Sequence, residues 1–173
     1  MTIRIKEVIE AFELLFDGLH NRDFRKTLSL TEYRERDLNP LVRTFLLGYF
    51  GAVSPEVRSA LPGSLTGEGS IDYVIGDVAV EFAVRRPHDA RLNLSAVTNA
   101  TEVKKLTKWK GKSLLVLFDF SRDPFERSDL ERYREWPSLG KGNHKKNAFT
   151  VAYFNRGASS SPKLMLEKLL IRP

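Results

Sequence analysis

The feature of this 173-residue chain that most limits its fold is a Gly76-Asp77 dipeptide between two runs of strand-forming residues. Glycine at the start of such a dipeptide predicts a two-residue β-hairpin, because it supplies the positive φ that the turn needs. The predicted strands cover 70–75 and 78–86. A turn of this length sets the register of the two strands, and so determines which side chains oppose one another.

The register brings two carboxylates together. If Ile75 pairs with Val78, counting outward along both strands places Asp72 opposite Glu81. Opposed residues have Cβ atoms about 4.5–5.5 Å apart, and like charges there are destabilising. A divalent cation would relieve that repulsion, because Mg²⁺ binds carboxylate oxygens. The sequence therefore predicts Asp72 and Glu81 as metal ligands, with the opposite face of the second strand, which carries Phe82, turned into the core.

Two alternatives to a metal site stay open for the paired acids. Alternation along the strand places Arg85 on the face of Glu81, so the two could form an ion pair while Asp72 is a polar residue at a sheet edge. Two carboxyls about 5–5.5 Å apart are also the arrangement of a retaining glycosidase. The sequence offers no aromatic-rich cleft to support a glycosidase.

Apolar periodicity before the hairpin predicts helices. An amphipathic pattern indicates an N-terminal helix at 5–20. A second helical region opens at Ser29 and restarts at Asn39-Pro40, with Asn39 as its N-cap, and ends at Gly51. These helices would lie against the sheet that the hairpin begins.

The chain after the hairpin alternates between helix and strand. A helix is expected from about Ser95 or Asn99 to Lys110, followed by an apolar run at 114–118 that is typical of a strand buried on both faces. A further helix at 128–136 and a strand at 148–154 follow, and 163–171 is either a strand or a short helix. The fold class predicted is α/β, a mixed β-sheet with flanking helices.

Composition limits the compartment and the partners. The net charge of +6 favours an anionic partner such as nucleic acid. No run approaches the roughly 20 apolar residues of a membrane helix, and the charged N-terminus indicates no signal peptide. The chain has no cysteine, which excludes disulfides and thiolate metal sites. We therefore expect a cytoplasmic protein without a membrane partner.

The order of elements and acids resembles the PD-(D/E)XK nuclease superfamily, which includes restriction endonuclease-like and Holliday-junction resolvase-like enzymes. Ile71-Asp72 stands at the PD position, and Val80-Glu81-Phe82-Ala83 stands at the (D/E)XK position. The resemblance covers about 31–120. It implies one domain, with an αβββαβ core at about 29–120, the helix at 5–20 before it, and a C-terminal extension of helix and strands at 121–173.

The resemblance also implies a function. Family members bind Mg²⁺ or Mn²⁺ through the Asp and the Glu, and the ion polarises a phosphodiester and activates water. This chain would then be a Mg²⁺-dependent nuclease acting on DNA, with Asp72 and Glu81 as ligands. An acid on the preceding helix often completes the site, which indicates Glu35, with Glu32 as the alternative.

The lysine of the motif is missing, since Ala83 stands in its place. Arg85 could reach back and stabilise an anion, although a guanidinium is a poor proton acceptor. Some family members relocate this lysine, and the next helix offers Lys104, Lys105 and Lys108. The same three lysines are typical of a solvated helix face, so both interpretations stay open. Without the lysine, the chain could instead be a catalytically inactive module that binds nucleic acid or a protein partner.

Basic residues outside the two strands are candidate contacts with phosphates. Arg86 and Arg91 follow the Glu81 strand, and Lys145 and Lys146 lie in a basic loop. With the three helix lysines they form the predicted nucleic-acid surface. The chain has little room for a separate specificity domain, so recognition of a long site would need a homodimer or a partner protein.

Overall fold

The computed structural model describes residues 3–60, 68–134, 147–156 and 165–171. In this part of the chain, six strands form one sheet in which chain neighbours are also sheet neighbours. The strands are β1 (Ser54–Ala60), β2 (Glu68–Ile75), β3 (Val78–Arg85), β4 (Lys112–Asp119), β5 (Phe149–Asn155) and β6 (Met165–Ile171).

Helices cover the sheet. They are α1 (Ile5–Leu19), α2 (Arg22–Arg25), α3 (Glu35–Phe50), α4 (Ala100–Lys108) and α5 (Arg127–Glu131). In chain order, α3, β1, β2, β3, α4 and β4 give the αβββαβ order, and α5, β5 and β6 follow. The predicted fold class, a mixed sheet with flanking helices, is confirmed. No helix of the described residues has the length and apolar character to span a membrane.

The sheet is antiparallel at both ends and parallel in its centre. β1, β2 and β3 form an antiparallel meander, and β5 pairs antiparallel with β6. β3, β4 and β5 run parallel. Parallel neighbours need a crossover connection, and α4 provides it between β3 and β4. This crossover places α4 directly over the hairpin strand that carries Glu81.

The hairpin forms in the predicted register. Gly76 has φ +61°, the positive value expected at the turn. Three pairs follow outward from it, namely Ile75 with Val78, Val74 with Ala79, and Tyr73 with Val80.

The predicted restart at Asn39-Pro40 is wrong, because α3 is a single helix that contains Pro40. The helix is capped earlier, where the Asp37 carboxylate accepts a hydrogen bond from the Arg34 backbone N–H at 3.3 Å. The Asn39 side chain is used elsewhere, since its Oδ1 accepts a hydrogen bond from the Tyr73 hydroxyl at 2.5 Å. Glu35 is therefore the first residue of α3.

Both faces of the central sheet are buried. α1 and α3 cover one face, whereas α4, α5 and a 3₁₀ turn at Arg91–Leu94 cover the other. Phe82 faces the first layer, as predicted. The opposite face of β3 is equally buried, with Ala83 packed in the second layer and Glu81 only 1% exposed. The expectation that only one face of β3 enters the core is wrong, because the crossover helix covers the other.

A cluster of aromatic rings joins the first helical layer to the sheet. The Phe118 ring lies 4.8 Å from Phe16, 5.0 Å from Phe82 and 5.5 Å from Phe154, each in an edge-to-face arrangement. Such pairs add to the stability that burial of the rings provides.

We expect Phe118→Ala to lower the free energy of unfolding by about 3–5 kcal/mol, because it leaves a cavity among these rings. Phe24 on α2 is 59% exposed, so Phe24→Ala should change it by no more than about 0.5 kcal/mol. Urea denaturation followed by circular dichroism measures both. Equal losses in the two variants would contradict this placement of the core.

Candidate active site

The candidate site lies where β2 and β3 separate. Their ladder ends at Tyr73 and Val80, while β2 continues to pair with β1. Every second pair of an antiparallel ladder exchanges backbone hydrogen bonds. After the pair of Tyr73 with Val80, the next amide of β3 to donate to the β2 backbone would therefore be that of Phe82. It donates instead to Oδ2 of Asp72 at 2.9 Å. We name the opening between 68–72 of β2 and 81–85 of β3 the β2–β3 fork.

The two predicted ligands lie on the two branches of this fork. Glu81 is almost fully buried and Asp72 is half-buried. Burial raises the pKa of Glu81 to about 9, and the charge of Asp72 contributes to that rise. Burial also raises the pKa of Asp72, against the hydrogen bond that it accepts from the Phe82 amide. The two acids therefore interact electrostatically, although the ladder ends one pair before the predicted pairing of Asp72 with Glu81.

One oxygen of Glu81 has no hydrogen-bond donor. Its Oε1 is buried and, with both carboxyls ionised, lacks a hydrogen-bond partner. Buried polar atoms are nearly always hydrogen-bonded, and an exception needs an explanation. A proton shared with Asp72 or a bound cation would satisfy this oxygen.

A buried lysine of α4 occupies the other side of Glu81. Nζ of Lys105 donates to Glu81 Oε2 at 2.8 Å and to the Ser70 carbonyl oxygen at 2.9 Å. Lys105 is 8% exposed, so it does not belong to a solvated helix face, whereas its neighbour Lys104 does. α4 thus places an ammonium group next to the two acids. The motif position, where Ala83 stands in place of lysine, cannot supply one.

Two more acids surround the pair. Glu35 keeps access to solvent at the start of α3, but nearby protein atoms displace part of its hydration. This desolvation, together with the charges of Asp72 and Glu102, raises the pKa of Glu35 to about 7. Glu32 is the alternative to Glu35 as the third acid. Its charge contributes instead to the raised pKa of Arg86.

Sequence reasoning did not single out Glu102. It lies on α4 one turn before Lys105, and its charge contributes to the raised pKa values of Glu35, Asp72 and Glu81. The spacing of three residues from Lys105 was the one sequence signal that could have indicated it.

Arg85 belongs to a different cluster at the end of β3. Its Nε donates to Asp119 Oδ1 at 2.9 Å, and its guanidinium also contacts Ser121 and the Asp123 carbonyl. Four residues along a strand separate it from Glu81, which is about 13 Å. The parallel register of β3 and β4 places it beside Asp119. The expectations that Arg85 pairs with Glu81 or reaches back to it are wrong.

The predicted contacts with nucleic acid differ in their surroundings. Arg86 forms an ion pair with Asp89 at 2.6 Å, and Arg91 lies between two aspartates at 2.6 and 2.5 Å. Lys104 is exposed and Lys108 is partly exposed on α4, whereas Lys145 and Lys146 lie outside the described residues. Contact of these side chains with nucleic acid stays a prediction.

The arrangement of Asp72 and Glu81 is compatible with a cation that takes only part of its coordination shell from the protein. Within the described residues, no three acidic, histidine or cysteine side chains converge closely enough to hold a metal ion by themselves. Mg²⁺ commonly takes one or two carboxylates and completes its shell with water and substrate phosphates. Asp72 and Glu81, with the unpartnered Oε1, fit a site of that kind.

Comparison of the chain with protein-family models, with curated proteins and with solved structures finds no match in any of the three. The resemblance to PD-(D/E)XK nucleases therefore rests on the order of the elements and on the site residues, and it stays a prediction.

We expect the stability of the metal-free protein to fall as the pH rises from about 5 to about 9. The folded-state pKa values of Glu81, about 9, and Glu35, about 7, lie above the ordinary value of 4.5. The folded protein then binds these protons more tightly than the unfolded chain does. Their stabilisation is complete below the ordinary pKa and is lost as the pH rises through the folded-state values.

Asp72→Asn removes a charge that raises both pKa values. Its stability should therefore fall less steeply with pH and exceed that of the wild type by about 1–2 kcal/mol near pH 8. The matched control is Asp77→Asn, in the exposed hairpin turn, which should keep the wild-type slope. Thermal melts in EDTA across the pH range measure this, and equal slopes in wild type and Asp72→Asn would count against it.

Proposed function

We propose that this protein is a Mg²⁺-dependent nuclease of the PD-(D/E)XK type, which hydrolyses phosphodiester bonds of DNA. One observation carries the proposal. The carboxyl group of Glu81, on which the charge of Asp72 acts, has one buried oxygen without a hydrogen-bond partner, while its other oxygen binds the ammonium group of Lys105. Two acids and a lysine are the set of groups that the resemblance implies.

Asp72 and Glu81 are the residues that would hold Mg²⁺ or Mn²⁺. An ion bound there would polarise the phosphodiester and lower the pKa of a water molecule. Glu35 retains solvent access and a pKa near 7, so it can accept a proton from the attacking water and release it to solvent. Asp72 is held in place by its hydrogen bond from the Phe82 amide.

Lys105 supplies the positive charge that Ala83 lacks. Its ammonium group is buried and oriented by two acceptors, Glu81 and Ser70. A fixed cation in a desolvated site stabilises negative charge that develops on a phosphate more strongly than it would in water. DNA as the substrate is supported by the resemblance and by the net charge of +6.

Calorimetric titration of Mg²⁺ and Mn²⁺ tests the metal site. The wild type should bind, and its melting temperature should rise with metal concentration, because a ligand of the folded state stabilises it by about 2.7 kcal/mol at 100 times Kd. Asp72→Asn should lose both effects, and Asp77→Asn should keep them. Identical titrations of wild type and Asp72→Asn would falsify the assignment of the ligands.

Cleavage of plasmid and single-stranded DNA tests the role of Lys105. Lys105→Met should slow cleavage by about 100-fold or more, as loss of one oriented group that stabilises charge does in other enzymes. Lys104→Met removes the same charge from the exposed side of α4, where only a surface contact with phosphate would be lost, and should slow cleavage far less than Lys105→Met. Absence of cleavage by the wild type with either metal, combined with binding of DNA, would indicate the inactive binding module instead.

A further inference from the structure

The β2–β3 fork is closed by side chains rather than by main-chain pairing. Beyond Tyr73 and Val80, the described residues of β2 and β3 form no further register pairs. Asp72 bonds the Phe82 amide, and Lys105 joins the Ser70 carbonyl of β2 to the Glu81 carboxylate of β3. Lys105 therefore links both branches of the fork to α4.

The closed fork hides the group that the substrate has to approach. Glu81 and Lys105 are both buried, whereas Ser70 and Glu35 are exposed. Solvent thus reaches the fork from the side of Ser70. The ammonium group that a backbone phosphate has to contact belongs to Lys105, which is 8% exposed and bonded to Ser70 and Glu81, so part of the fork has to move before catalysis.

The contact between Lys105 and Ser70 is the easier of the two Lys105 contacts to exchange. The Ser70 carbonyl is a neutral acceptor in an exposed residue, so water can replace Lys105 as its donor. The ammonium donor is charged in either contact, but a phosphate oxygen also carries negative charge and so adds a Coulomb attraction that a neutral carbonyl oxygen does not. A phosphate oxygen is therefore a better acceptor for Lys105 than the carbonyl it would displace, and the buried pair with Glu81 is kept.

We infer that Lys105 is a latch that holds the β2–β3 fork closed, and that a backbone phosphate of the substrate opens it by replacing the Ser70 carbonyl on the ammonium group. The closed state follows from the contacts alone, whereas the identity of the opening ligand rests on the proposed function. In the closed state, the Ser70 carbonyl oxygen accepts the hydrogen bond from Lys105 that a phosphate oxygen of the substrate would accept in the open state.

The latch is tested by nuclear magnetic resonance of the full chain, with the Ser70 carbonyl carbon as the reporter. Lys105→Met should shift this resonance, and Lys104→Met should leave it at the wild-type position. A short single-stranded oligodeoxynucleotide added in EDTA, where no cleavage occurs, should shift the wild-type resonance in the same direction as Lys105→Met. The same addition should not shift it in Lys105→Met. If Lys105→Met does not fold, Lys105→Gln replaces it.

The outcomes separate the latch from the proposed function. Resonances of Asp72 and Glu81 that respond to DNA, while the Ser70 carbonyl does not, overturn the latch and leave the nuclease proposal standing. No response to DNA anywhere in the fork also overturns the latch. In that case, the metal titration decides separately whether the nuclease proposal fails with it.

Discussion

The ion pair between Lys105 and Glu81 connects the packing of this protein to its candidate chemistry. A carboxylate in the middle of β3, covered by a helix, would be costly to bury without a counter-charge, and α4 supplies an ammonium group 2.8 Å away. Loss of one partner from such a buried pair commonly costs about 3–5 kcal/mol, since the other charge stays buried alone. This contact therefore links the electrostatics of the site to the position of α4, which Val103 and Leu106 also hold by packing against the sheet.

The same face of β3 carries a second buried cation, and the two clusters differ in how fully their carboxyl oxygens are hydrogen-bonded. Arg85 is bound to Asp119, whose other oxygen accepts a hydrogen bond from the Tyr153 hydroxyl. Both oxygens of that carboxylate are thus used inside the protein, which is typical of a structural pair. Glu81 has one oxygen in use and one without a partner. The unused acceptor, together with the nearby Asp72, distinguishes the candidate site.

The charge around the fork is opposite in sign to that of the whole chain. In the part of the chain that the structure describes, the charges of Glu35, Asp72, Glu81 and Glu102 act on one another beside the ammonium group of Lys105, in a protein whose net charge is +6. Burial, together with repulsion from the neighbouring acids, raises the pKa values of Glu35, Asp72 and Glu81, and a bound cation would oppose that effect because it is then the largest local charge. An acidic centre on a basic protein is the arrangement expected where a cation lies between the protein and an anionic polymer.

The hairpin turn and its first three register pairs could be predicted from sequence, because turn chemistry and strand alternation are local properties. The αβββαβ order is what the resemblance to PD-(D/E)XK nucleases implies. Only the tertiary structure determined which basic side chain lies next to Glu81. Lys104 and Lys105 are equivalent in sequence, and only the packing of α4 across the fork buries Lys105 beside Glu81. Arg85 shares the face of Glu81 in sequence, yet the parallel register with β4 gives it a different partner. Contacts between distant segments depend on how layers pack, which no local pattern encodes.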